Sequence, residues 1–362
     1  MGPLALSPLP QTQLRTMTWR KGLLNLAALG LLALFLGGAA RWGNEYQVRL
    51  LNNIAIFITL AVAYNLINGI AGQLNLGPNA FITLGAYTAA LLTLTASEKS
   101  LTFIIIPLYW PFSQVSAPFP VALLAGGLVA ALFAFLTGFP VFRVRGDYLA
   151  IVTLGFGEVV RILANNLQGL TNGPLGLKGL QPYTSLWWSW GVAALTVAVV
   201  VALTNSGYGR ALKAIREDET AARAMGVNTF RHLMLAFILS AFFFGVGGGL
   251  LAHLITTISP TLFTFFLTFN LLTIIVVGGL GSTTGAVLAA ALLTLGGEWL
   301  RVVEEPHQLG SLIIPGLPGM RMVVFSLLLL LAILFFRRGL MGRREFSWDW
   351  LKGIFTWKRF PT

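Results

Sequence analysis

Ten apolar runs recur along the chain, at residues 22–40, 50–69, 79–96, 120–138, 147–168, 186–204, 233–253, 264–280, 284–303 and 321–337. A helix needs about 20 such residues to cross a bilayer, and inside the bilayer every backbone N–H and C=O must be satisfied by the protein itself. Runs of that length therefore leave few choices: the chain reads as an all-α polytopic membrane protein with about ten transmembrane helices. Only 10% of its 362 residues are charged, against about 25% in soluble domains. The runs divide the chain into an N-terminal tail (1–21), a transmembrane body (22–337) and a C-terminal tail (338–362). The first run follows Arg15, Arg20 and Lys21 and ends in small residues, as a secretory signal does. It exceeds the apolar core of about 7–15 residues that such signals carry, so it reads as an uncleaved span.

The net charge of +12 is explained by topology and not by nucleic acid. With the N-terminus inside, seventeen of the 24 Lys and Arg residues fall on the inner side of the spans, six on the outer side, and Arg161 within a span. That bias places both termini in the cytoplasm. The tail from Arg337 alternates basic and aromatic residues, as expected of an interfacial helix lying on anionic lipid.

Chemistry of its own is not indicated. There is no cysteine, the three histidines His232, His253 and His307 lack metal-ligand spacing, and no GxxxxGK[ST] nucleotide loop occurs. No catalytic residue, metal or cofactor is expected. Glu158 and Arg161 lie three apart in one run, as do Glu298 and Arg301 in another, a spacing that puts each pair on one helix face. A structural pair between packed helices is the favoured reading and a pathway role the alternative. His253 is the lone intramembrane candidate for an ion-coupled carrier.

Two connections are uncharged and rich in Gly, Asn and Pro: GIAGQLNLGPN at 69–79 and GGLGSTTG at 278–285. Such backbone stays at membrane depth only when buried in protein or lining a wet cavity. The GVGGGL run at 245–250 permits close helix packing. The one sizeable island of mixed charge is GRALKAIREDETAARAMGVN at 209–228. Glu217, Asp218 and Glu219 open a helix of about two turns, Arg223 sits in its last turn, and Gly226 supplies a left-handed stop. It reads either as a point of attachment for a motor subunit or as a solvated connecting loop.

The stretches GQLNLGPNAFITLGAYTAALL (72–92), RVRGDYLAIVTLGFGEVVRILANN (143–166), TNGPLGL (171–177), the 209–228 island and GGLGSTTGAVLAAAL (278–292) together resemble the LivM-type permeases of bacterial ABC importers for branched-chain and other neutral amino acids. The resemblance implies a type II importer permease in the bacterial inner membrane. Its expected partners are a second related permease, two cytoplasmic ATP-binding subunits, a periplasmic solute-binding protein, membrane lipid and a small neutral amino acid. It also implies that the island docks in the ATPase as an EAAxxxG-type loop, with Ala221, Ala222 and Gly226 matching and Thr220 standing at the Glu position. Arg216, Glu217, Asp218 and Glu219 complete the expected coupling set. Gln73, Asn75, Asn79, Thr153 and Glu158 are expected near the solute pathway. The family commonly reads GQLSLGHAAF where this chain has Asn75 and Pro78, which leaves the solute open. A urea or short-chain amide importer is the nearest alternative, and an ion-coupled secondary carrier a further one.

Overall fold

The computed structural model describes residues 27, 30–104, 106–143 and 148–300, together with 307–309, 312–314, 323, 326–327, 330, 339–342 and 345. The expected N-terminal tail (1–21), most of the 321–337 run, Arg145, Arg301 and the tail from 346 onward lie outside the described residues.

The chain divides into two units, Met1–Val48 with Phe346–Thr362, and Arg49–Glu345. In the first, helix α1 (Gly30–Trp42) ends in a turn where Gly43 N donates to Ala39 O at 2.9 Å. Gln47 Oε1 then accepts from Asn44 N at 3.2 Å, at the start of α2 (Glu45–Asn65).

The second unit holds α2 from Arg49 onward, α3 (Pro78–Thr93), α4 (Ala96–Thr102), α5 (Phe119–Val141), α6 (Tyr148–Asn166), α7 (Gln168–Thr171) and α8 (Leu186–Asn205). It continues with α9 (Gly207–Glu217), α10 (Glu219–Ala224), α11 (Thr229–Ile255), α12 (Phe265–Gly278) and α13 (Thr283–Trp299). Its core is the crossing of α3, α5 and α11, and glycines make that crossing. A Cβ on Gly85 would lie 2.2 Å from Gly245 O, and one on Gly245 would lie 2.5 Å from Gly126 O. With no side chain at these points the three backbones touch, and Phe81, Ile82, Phe237 and Phe244 are buried in the same core.

Among the described residues five helices are long and apolar enough to span a membrane: Glu45–Ile70, Phe119–Val141, Tyr148–Asn166, Leu186–Asn205 and Thr229–Ile255. The chain is a multi-pass membrane protein. Among the described residues each apolar run from 50–69 to 284–303 contains a helix, yet not all are uniform crossings. Helices α3, α12 and α13 have 16, 14 and 17 residues, about 21 to 26 Å at 1.5 Å per residue and short of the roughly 30 Å hydrocarbon core. The cause is local, since Pro78 opens α3 and residues 279–282 separate α12 from α13.

At the end opposite the charged island, α4 carries a capping box in which Thr95 Oγ1 accepts from Glu98 N, while Glu98 Oε2 accepts from Thr95 N at 2.9 Å. Lys99 is buried, and its Nζ donates to Phe112 O at 2.8 Å and Val115 O at 2.5 Å, tying down the Pro-rich loop before α5. Strand β1 (Leu177–Lys178) pairs antiparallel with β2 (Thr257–Ile258) at the same end. A second antiparallel pair joins β3 (His307–Leu309) and β4 (Leu312–Ile314).

Candidate functional site

The charged island forms a handle of two helices, where one short helix between Glu217 and Gly226 is expected. Ser206 starts α9 by accepting from Tyr208 N and Gly209 N. Leu212 and Ile215 bury its inner face, and Tyr208 Oη donates to His232 O, fastening α9 to α11. The chain breaks at Asp218, which is extended at φ −157° and whose Oδ1 accepts from Thr220 N at 2.8 Å and Ala221 N at 2.9 Å. Capping by the short Asp side chain needs that extended backbone, so one helix stops and another begins at the same residue. Gly226 (φ +84°) closes α10 as Val227 N reaches back to Ala222 O at 3.0 Å. Glu219 and Arg223 pair across one turn, and Arg223 Nε donates to Thr229 Oγ1 at 3.0 Å. Met225 on the handle is 85% exposed.

Both uncharged connections are helix breaks, and they meet. After Asn65, α2 widens into an i→i+5 turn over Leu66–Ile70, with Ala71 N donating to Leu66 O at 3.0 Å. The chain then runs back into the bundle as coil to Pro78. Tyr64 Oη donates to Asn75 O at 2.6 Å, Asn75 Oδ1 accepts from Gly77 N at 2.9 Å, and Thr153 Oγ1 accepts from Leu76 N at 3.0 Å. The second break, at 279–282, joins the first through Asn65 Oδ1, which accepts from Gly281 N at 2.9 Å. Arg216 donates to Gly69 O at 2.9 Å from the handle side. Residues 339–342 and 345 pack on the second break. Leu340 N and Met341 N donate to Val277 O and Gly278 O, and the Glu345 carboxylate accepts from Thr283 N at 2.6 Å and Thr284 N at 3.0 Å at the start of α13.

Helix α6 buries one narrow stripe, Leu149, Thr153, Gly157, Val160 and Ala164. Glu158 and Arg161 form the expected pair, with Arg161 Nη2 2.7 Å from Glu158 Oε2. The pair is only partly covered, its side chains 41% and 35% exposed, halfway along a 19-residue span. A charge at that depth costs about 2.5–3.5 kcal/mol against lipid, so this edge of α6 demands a polar or protein neighbour.

Residues 46–334 match the family model described as the branched-chain amino acid transport system / permease component. The chain belongs to this family. It is 36% identical over 284 residues to the high-affinity branched-chain amino acid transport system permease protein LivM of Salmonella typhimurium and equally to that of Escherichia coli K12. Each match covers 69% of this chain and 62% of the relative, so the chain spans under two thirds of the LivM length. It is also 32% identical over 149 residues to the permease protein LivH of Escherichia coli K12, covering 41% of this chain and 44% of LivH. No solved structure matches.

In this permease-family chain the expected residues fall into three groups. Asp218, Ala221 and Gly226 are exposed on the handle with Glu217, whereas Ala222 is buried against the body and Arg216 turns inward. Asn75, Asn79 and Thr153 come together as a buried network around the first break, Asn79 Nδ2 donating to Phe263 O at 3.3 Å. Gln73 is half-buried beside them and Glu158 stands farther along α6. His253 is buried, its Nδ1 2.8 Å from Gln181 O and its Nε2 3.1 Å from Thr93 Oγ1. Both ring nitrogens thus have partners. Sequence reasoning missed Asn65, Tyr64 and Glu345. Asn65 carried a signal, an amide inside an apolar run just ahead of a Gly-rich break, and Glu345 another, a lone carboxylate among basic residues.

Proposed function

We propose that this chain is a membrane-spanning permease subunit of an ATP-driven importer that carries branched-chain or other neutral amino acids across the bacterial inner membrane. The observation that carries this reading is the handle: an exposed, capped two-helix projection, bonded inward to the first of two joined helix breaks, on a chain without a nucleotide loop. Family membership and the likeness to LivM support the solute class, and the likeness to LivH supports a second related permease as partner. Two ATP-binding subunits grip α10 from the cytoplasm, where the bias of basic residues puts the handle and both termini. A periplasmic binding protein delivers the solute to the opposite end.

In this reading ATP closes the motor pair, the handle moves, and the breaks change the access of a pathway between the two permeases. Glu158 and Gln73 face that pathway, while Asn75, Asn79 and Thr153 set the backbone beside it. Reconstitution of the chain with its partner permease, ATPase and binding protein in liposomes, followed by labelled leucine uptake, tests this. Uptake is expected to need ATP and every subunit. Uptake by this chain alone under an imposed proton or sodium gradient would overturn the reading.

A further inference from the structure

Arg216, a handle residue of the expected coupling set, lies against both breaks. It sits in the last turn of α9, its side chain only 18% exposed. Nη1 donates to Gly69 O at 2.9 Å, and Nη2 pairs with Glu217 Oε1 at 2.8 Å. Gly69 lies at the C-terminal end of a 26-residue span, Glu45–Ile70, where carbonyls lack intrahelical donors and the helix dipole is negative. A guanidinium there satisfies an orphan carbonyl and the dipole together, and charged hydrogen bonds are the stronger kind.

The aliphatic stem matters as much as the charge. A Cβ on Gly72 would lie 2.3 Å from Arg216 Cγ, and one on Gly281 would lie 2.8 Å from Arg216 Nη1 and 3.1 Å from Gly69 O. Both glycines have positive φ, +72° and +90°. The first break therefore closes around the stem, and the second presses on the guanidinium while bonding to Asn65 of the same α2.

We infer that Arg216 is a positioning residue that ties the movement of the α9–α10 handle to both helix breaks, so that one side chain converts displacement of the handle into displacement of residues 69–77 and 279–282. This rests on the proposed importer function. A lysine can reach Gly69 O but lacks the fork that holds the Glu217 carboxylate at the same time.

The experiment compares wild type, Arg216→Ala and Arg216→Lys in the full reconstituted complex, reading three quantities: co-purification of the ATPase, ATP hydrolysis, and leucine moved per ATP. The expected result for Arg216→Ala is retained ATPase binding and hydrolysis with leucine per ATP reduced at least tenfold, and an intermediate value for Arg216→Lys. A purely structural role lowers the yield of complex and both rates together, and an unchanged leucine-to-ATP ratio in Arg216→Ala overturns the inference. If Arg216→Ala does not assemble, Gly72→Ala, which displaces the stem but keeps the guanidinium, must show the same fall in ratio, and a wild-type ratio there overturns it equally. Should the wild-type complex show no ATP-dependent uptake, the proposed function fails first and the inference falls with it, a result distinct from a working importer indifferent to Arg216.

Discussion

Replacing Gly85 by alanine isolates the contact on which the core depends. The new Cβ would sit 2.2 Å from Gly245 O, 2.3 Å from Gly245 Cα and 2.5 Å from Gly245 C. Non-bonded carbons settle at about 3.5–4.0 Å, so α3 and α11 must part by an ångström or more at their crossing. No rotamer change relieves this, because every obstructing atom is backbone. Nor can α11 retreat freely, since the Cβ position of Gly245 already lies 2.5 Å from Gly126 O of α5 and 2.7 Å from Ala130 Cβ. Overpacking a core usually costs about 1–3 kcal/mol even when side chains can yield. Three helices must yield here, and we expect the upper end of that range, about 3 kcal/mol.

Gly155→Ala is the matched control. It makes the same chemical change in α6, where a Cβ meets nothing within 4 Å, and alanine is the better helix former by up to about 1 kcal/mol. The two variants should therefore shift stability in opposite directions, about 4 kcal/mol apart, when the purified chain is unfolded reversibly by SDS in mixed micelles. A Gly85→Ala midpoint within 1 kcal/mol of wild type, or a Gly155→Ala loss as large as that of Gly85→Ala, would refute the claim that backbone contact at this crossing holds the core.

Gly226→Val forces a β-branched residue into a left-handed position at φ +84°, at a cost of about 1–2 kcal/mol or more. The stop of α10 should fail, lowering co-purification of the ATPase at least tenfold while the unfolding midpoint of the body stays at the wild-type value. Glu158→Gln should cost under 1 kcal/mol, since half-exposed pairs contribute little, yet reduce leucine uptake at least tenfold; equal losses of stability and uptake would contradict a pathway position. Glu98 reports on pH: its carboxyl lies below the usual carboxylate range because it accepts from Thr95 N, then from the Gln181 and Thr95 side chains. A lowered folded-state value means that the capping of α4 is fully present above the unfolded pKa of 4.5 and is lost as pH falls through the folded one. Amide exchange over 96–102 should therefore accelerate on acidification below about pH 4.5 in wild type and show no such step in Glu98→Gln.

Apolar run length made most of the helices legible, because a bilayer tolerates so few alternatives. Local chemistry made the handle legible too: Asp218 caps and Gly226 stops where their side chains, or the lack of one, require. The division into two helices was hidden because Glu217, Asp218 and Glu219 are equally plausible openers on charge alone, and only the extended backbone at Asp218 singles it out. The two breaks were visible as Gly-, Asn- and Pro-rich stretches, but their meeting was not. Asn65 and Gly281 are 216 residues apart, and Arg216 and Gly69 are 147 apart. No periodicity encodes a contact between a single amide and a backbone N–H at that distance. The half-exposed setting of the Glu158–Arg161 pair was hidden for a similar reason, since spacing shows that two residues share a face but not what that face meets.

The irregular backbone of this chain and its regular core are held by different kinds of contact, and the difference bears on which part can move. At the breaks, orphan groups are satisfied from afar by charges matched to helix ends: a cation, Arg216, at the C-terminal end of the α2 span, and an anion, Glu345, at the N-terminus of α13. Such interactions are worth about 1–3 kcal/mol each, the scale of the gap between two populated conformations. They are also exchangeable, because water or another donor can take the place of either side chain. The glycine crossing of α3, α5 and α11 has no substitute partner, since parting those backbones opens a void that lipid chains cannot fill as closely. Motion imposed through the handle should therefore be absorbed at 69–77 and 279–282, with the three-helix core as the fixed frame against which those segments shift.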